Sequence, residues 1–167
     1  MKNMKRIILV RHAKAEDGNY SDDINRKLRS QGKEDAQMIS IALKEQLIKP
    51  DLIISSHARR ALKTAKIYAK TLHYPKEQIQ IIEELYDGIS PGNFIDYFRE
   101  LDDSFNTVFV FGHNPTIYYL VSALLHSYNQ DMPTCATIGI DFDTDTWKNI
   151  ELMNGTLVFR LTPHLYK

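Results

Sequence analysis

Arg6-Ile7-Ile8-Leu9-Val10-Arg11-His12-Ala13 is the stretch that decides how this chain is read. Its apolar run is short and rich in branched residues, as expected of a strand buried on both faces, and it stops abruptly at a charged pair. Arg11 and His12 are therefore predicted just beyond the carboxyl end of a strand, where open α/β sheets bind their ligands. A histidine held there beside a fixed positive charge can attack phosphorus, or it can simply bind an anion.

Further apolar runs at residues 52–54, 79–82 and 108–111 alternate with segments of helical length. Ala36, Ile39, Leu43 and Leu47 recur at helical spacing, as do Ala61, Ala65, Tyr68 and Leu72. Ser90-Pro91 reads as an N-cap followed by proline at the first helical position, ahead of a stripe of Phe94, Tyr97, Phe98 and Leu101. Asn114-Pro115 repeats that signature before Ile117, Leu120, Val121, Leu124 and Leu125. Later, Ile138, Ile140 and Phe142 alternate with small or polar residues, as in a half-exposed strand nearer the sheet edge. Thr146 would cap a short helical piece carrying Trp147, and residues 156–161 supply a last strand. This alternation predicts an α/β fold, a three-layer αβα sandwich around a mostly parallel central sheet of about six strands. With no repeat, linker or low-complexity tract, residues 1–167 read as one domain.

Composition narrows the function. Hydrophobic residues make up 43% of the chain, enough for a sizeable core, and its 21 basic residues balance its 21 acidic ones. No overall field recruits nucleic acid or a membrane surface, so anion binding has to come from locally placed arginines. A lone cysteine, Cys135, excludes an internal disulfide and suits a reducing compartment. The start, residues 1–6, has the basic character of a signal peptide, but the apolar stretch behind it ends at Arg11. Nor does any stretch approach the ~20 apolar residues of a membrane span, so a cytoplasmic protein is expected.

The chemistry-bearing residues fall at strand ends. Arg11-His12 follows the first strand, Ser55-Ser56-His57-Ala58-Arg59-Arg60 the second, and Gly112-His113-Asn114-Pro115 the fourth. All three are predicted on one rim of one sheet. The six histidines show no paired ligand spacing, and arginines would repel a metal, so no metal site and no cofactor are expected. No nucleophile-elbow pattern surrounds a serine, and no glycine-rich phosphate loop occurs. Phosphoryl chemistry on histidine remains, because arginines and an imidazole can neutralise the equatorial oxygens of a transferring phosphoryl group. Arg11 and Arg60 fit that role, since arginine stays charged and donates in a planar fork.

With these motifs the chain resembles the histidine phosphatase superfamily, the phosphoglycerate mutase-like fold, and within it the short phosphohistidine phosphatase (SixA-like) branch. The likeness spans essentially the whole chain. Residues 9–16 resemble that branch's opening motif, and Asn25-Arg26-Lys27-Leu28 followed by Gly32 its Arg-Pro-Leu-Thr segment. Residues 55–65 are similar to its Ser-Ser-Pro-x-x-Arg-Ala-x-x-Thr-Ala stretch, which selects Arg60 over Arg59; Glu84-Leu85-Tyr86, Gly112-His113-Asn114-Pro115 and Pro133-Thr134 also have counterparts. His57, Lys27 and Arg29 depart from the pattern, adding charge or bulk near the rim.

The resemblance implies that His12 attacks phosphorus to form a phosphohistidine intermediate later hydrolysed by water. Arg11, Arg60 and His113 would grip the phosphoryl oxygens, with Arg26 a further substrate-binding candidate. Glu84, or else Glu83 or Asp87, stands where longer relatives place a proton donor. His12 must attack unprotonated while His113 is more useful charged, so their pKa values are expected to be pushed apart, with activity sensitive to pH near neutrality. The substrate is expected to be a phosphate-bearing molecule, with a histidine-phosphorylated protein as one candidate. The alternatives are a small-molecule phosphomonoesterase, and a non-catalytic module that binds phosphoproteins through the same pocket.

Overall fold

The computed structural model describes residues 4–18 and 20–167, and residues 1–3 of the basic start lie outside them. Six strands form one sheet in the order β3-β2-β4-β1-β5-β6. They are β1 Lys5–Arg11, β2 Leu52–Ser55, β3 Gln80–Ile81, β4 Thr107–Gly112, β5 Thr137–Phe142 and β6 Thr156–Leu161. The β1–β4, β4–β2 and β2–β3 pairs are parallel, while β5 runs antiparallel to both β1 and β6. The helices are α1 Ser30–Glu45, α2 Arg59–Thr71, α3 Glu84–Asp87, α4 Pro91–Arg99 and α5 Thr116–Leu124.

Successive side chains of a strand point to opposite faces, and the buried residues sort accordingly. Ile7, Leu9, Val108 and Val110 pack with Phe94, Phe98, Leu120 and Val121 of α4 and α5. Ile8, Val10, Phe109 and Phe111 pack instead with Ile39 and Leu43 of α1 and Ala65 and Tyr68 of α2. Helices thus cover both faces of the sheet, giving the expected three layers. Among the described residues no helix is long and apolar enough to cross a membrane.

Two caps read from sequence are present: the Ser90 side chain accepts from the Asn93 N–H, and Thr146 from Lys148 N–H. Three expectations need correction. Asn114 does not cap α5, because its side-chain amide donates to the Met132 carbonyl at 3.0 Å, and Pro115 precedes the first helical residue, Thr116. Leu47 does not continue the apolar stripe of α1; the helix stops at Glu45, Leu47 turns at φ 63° with 83% of its surface exposed, and Ile48 is buried instead. Nor is β5 half-exposed. It lies inside the sheet between β1 and β6, and its polar positions are covered: Thr137 Oγ1 meets the Tyr68 hydroxyl at 2.7 Å, Phe159 packs over Gly139, and Asp141 pairs with Arg6.

One rim of the sheet is levelled by register. Arg11 stands opposite Gly112 and Ser55 opposite Phe111, so the carboxyl ends of β1, β2 and β4 finish side by side. Backbone bonds carry the ladder one residue further, from His12 N to Gly112 O at 3.0 Å and from Ser56 N to Phe111 O at 3.1 Å. The loop after β1 is pressed against α1 at Gly32, where a Cβ would collide with the Lys14 carbonyl oxygen, so only glycine allows the approach.

Candidate active site

The rim brings His12 and His113 together with ring centroids 5.2 Å apart, and both side chains are buried. His12 Nδ1 lies 2.7 Å from the Ala13 carbonyl oxygen. A carbonyl only accepts, so the ring proton sits on Nδ1 and Nε2 keeps its lone pair. The segment is pinned from two sides. Cys135 N–H lies within hydrogen-bond reach of the Arg11 and His12 carbonyls at 3.1 and 3.0 Å, and Ala13 N–H donates to Thr64 Oγ1 at 3.0 Å. Thr64 in turn donates to the Arg60 carbonyl at 2.7 Å, coupling the His12 loop to the first turns of α2. The Cys135 thiol is itself inert, pushed by burial up to about 12.

His113 Nε2 lies 2.7 Å from Ser56 Oγ. Ser56 Oγ also accepts the Ala58 N–H at 3.2 Å, and its second lone pair and its proton leave the contact with Nε2 open in either direction. His113 Nδ1 is buried without a hydrogen-bond partner. Arg11 is anchored by one bond from Nη1 to the Met132 carbonyl at 3.0 Å, the same oxygen that holds Asn114, and its buried Nε has no partner. Arg60, also buried, leaves its Nε unpartnered as well. Buried donors are nearly always satisfied, so Arg11 Nε and Arg60 Nε are left free to meet an acceptor.

Burial, reinforced by the charges of Arg60 and Arg11, lowers His12 to about 4. Burial again, with the neighbouring His12 and Arg60, lowers His113 to about 3. The expected separation of the two is not found: both are neutral at pH 7, because both rings leave water and face the same arginines.

Asp23, to which the sequence reading gave no role, organises the arginines. Its carboxylate accepts from Arg26 Nε at 2.9 Å, from Arg60 Nη2 at 3.1 Å and from the Tyr86 hydroxyl at 2.7 Å. The Tyr86 bond first, then the charge of Arg60 and the bonds from Arg26 and Arg60, hold its pKa at about 2. Tyr86 also packs edge-on against His113 at 5.4 Å and against His57 at 5.5 Å. Arg26 thus joins the site through Asp23, with a further bond from Nη1 to the Glu16 carbonyl at 3.0 Å.

Glu84 does not join this group. It is exposed and lines a cavity with Ile81, Asn93 and Tyr97, together with Glu83. Asp87 is the carboxylate of α3 that shares a cavity of about 860 Å³ with Tyr86 and His113. Arg11, Asn114, Tyr118 and Met132 line a further cavity of about 560 Å³.

A mostly parallel sheet covered on both faces, with two histidines and three arginines gathered at its carboxyl rim, defines the phosphoglycerate mutase-like class of α/β proteins. A profile of the histidine phosphatase superfamily (branch 1) matches residues 7–93, and the chain belongs to that superfamily. Among curated protein sequences none matches the chain. Of solved structures, the protein histidine phosphatase SixA complexed with tungstate superposes with a TM-score of 0.84 at 23% identity, covering 97% of this chain and 99% of that one. A protein from Agrobacterium tumefaciens assigned to phosphohistidine phosphatase SixA gives a TM-score of 0.78 at 24% identity, over 95% and 98% of the two chains. The mycobacterial glucosyl-3-phosphoglycerate phosphatase gives 0.64 at 16% identity, over 93% and 97%. One fold therefore serves proteins whose names state different phosphorylated substrates, and the substrate has to be argued from the site.

Proposed function

We propose that the protein is a metal-independent phosphatase that hydrolyses phosphohistidine through a covalent intermediate on His12. The observation that carries this reading is the pair of buried, unpartnered donors, Arg11 Nε and Arg60 Nε, whose charges act on a neutral His12 ring 5.2 Å from His113. In the first step the His12 Nε2 lone pair attacks phosphorus as the bond to the leaving imidazole nitrogen breaks, and that nitrogen takes up a proton. Water then attacks the phosphorylated His12, the P–Nε2 bond breaks and inorganic phosphate departs. The donors meet oxygens whose charge is greatest in the transition state, which favours rate over mere binding.

Phosphohistidine is favoured over a phosphoester by the weakness of acid assistance. A departing imidazole nitrogen is basic enough to be protonated without a strong enzymic acid, and among the described residues the carboxylate that lines the cavity of His113 is Asp87 on the short α3. Two cavities that share Asn114, one lined by Arg11 and the other by His113, suit a phosphohistidine carried on a protein. A cytoplasmic location and a histidine-phosphorylated protein partner belong to the same reading.

The test is phosphate release by the purified protein from p-nitrophenyl phosphate and from a phosphohistidine peptide, with and without tungstate. Turnover of the peptide, blocked by tungstate, is expected. Stoichiometric tungstate binding with no release from either substrate would reduce the protein to a binding module.

A further inference from the structure

Near the site, a groove of about 580 Å³ runs between residues 27–33, which include the first turn of α1, and the outer face of α2. Six cations line it, Lys27, Lys33, Arg59, Lys63, Lys66 and Lys76, against a single carboxylate, Glu16. All six are exposed, and none has an ion-pair partner among the described residues. Arg59, Lys63 and Lys66 recur at helical spacing, so they form one stripe along α2 while Arg60, Ala61, Thr64 and Ala65 turn inward. In a chain of zero formal charge this concentration is local and unfavourable by self-repulsion, which an acidic partner relieves.

The groove adjoins the site through the chain. Lys27 and Arg59 adjoin Arg26 and Arg60 in the chain, and Glu16, at the groove's edge, accepts the Arg26 bond through its carbonyl. From Arg59 to Lys66 the stripe is about 10 Å long, at 1.5 Å rise per helical residue. It can meet several anionic groups in a row, more than one phosphate presents. The apolar lining residues are Leu28 and Leu62, and no aromatic residue is present on which a nucleic acid base could stack. These features fit protein carboxylates better than a nucleic acid.

We propose that this groove docks an acidic segment of the phosphorylated partner, whose carboxylates engage the six cations while its phosphohistidine reaches His12. The proposal rests on the phosphohistidine reading above and names what that partner carries next to its modified histidine.

The test uses two synthetic peptides of equal length, each with one histidine, flanked by glutamates in one and by glutamines in the other. Both are phosphorylated chemically for kinetics and left unphosphorylated, with a fluorescent label, for anisotropy. Wild-type protein is expected to show roughly tenfold higher kcat/KM, and correspondingly tighter binding, for the acidic peptide at low salt. The preference should vanish in Lys63→Glu/Lys66→Glu and fade at high salt, while p-nitrophenyl phosphate turnover by that variant stays at the wild-type level. Equal binding of the two peptides, a preference that survives charge reversal, or tighter binding of a short single-stranded oligonucleotide would overturn the groove assignment. Charge-dependent binding of the acidic peptide without hydrolysis of either phosphopeptide would uphold the groove and overturn the phosphohistidine reading.

Discussion

Arg60 is held by Asp23 at two points, through Nη1 to the backbone carbonyl at 2.8 Å and through Nη2 to the carboxylate at 3.1 Å. The carboxylate therefore occupies donors that a phosphoryl group would also seek. With its pKa at about 2, Asp23 stays ionised throughout the working range and repels an incoming dianion. Asp23→Asn keeps an acceptor oxygen but removes the charge, and is expected to tighten tungstate binding roughly three- to tenfold, given the screening at a part-exposed position. Calorimetric titration checks this; weaker binding in the variant would mean that the charge serves mainly to position the arginines.

Ser56 holds the His113 ring by a contact of 2.7 Å between Oγ and Nε2. Ser56→Ala leaves Nε2 of that buried ring unpartnered. A loss of about 1–3 kcal/mol is typical for such an orphaned group, and kcat/KM should fall on the order of tenfold or more. Ser56→Thr, which retains the hydroxyl, should recover most of it. Equal losses in both variants would point to a packing defect.

The two lowered histidines make stability pH-dependent. Unfolded, each ring takes up a proton near 6.5, whereas folded they resist until about 4 and 3. Unfolding therefore binds protons once the pH drops below 6.5, so the stabilisation is complete above that value and drains away as the pH falls toward the folded values. Between pH 7 and 5 the Tm should drop by on the order of 10 °C, and His113→Asn should remove about half of that slope. Thermal scans across that window check it, and a flat wild-type profile would contradict the assignment of both rings as buried and neutral.

Asp87, and not Glu84, faces the cavity that contains His113. If a carboxyl assists the leaving group, Asp87→Asn should slow p-nitrophenyl phosphate less than an alkyl phosphate, whose leaving group is more basic, and Glu84→Gln should leave both near the wild-type rate. Parallel kinetics on the two esters decide between the carboxyls. A selective loss in Glu84→Gln would restore it as the acid.

What the sequence revealed, and what it hid, follows from the range of the contacts involved. The strand-end positions of Arg11, Ser56 and His113 could be read because apolar runs and register are local patterns, and Ser90 and Thr146 cap as read because a cap reaches only two or three residues along the chain. Asn114 misled because its amide finds Met132, a partner 18 residues away. Burial of the polar face of β5 depends on Tyr68 and Phe159, neither of which is visible from the alternation of β5 itself. Asp23 sits beside Asp22 in a polar stretch, and nothing local separates the carboxylate that bridges two arginines from the neighbour that bonds Asn25. The lowering of both histidines was likewise hidden, since it arises from burial that only the assembled rim imposes.

His12 as the phosphoryl acceptor is tested most directly by quenching the enzyme during turnover of a labelled phosphohistidine peptide and locating the label by mass spectrometry under non-acidic conditions. A phosphoryl group on His12, absent from a folded His12→Ala variant that also lacks turnover, is the predicted result. Label on another residue, or undiminished turnover by His12→Ala, would contradict it.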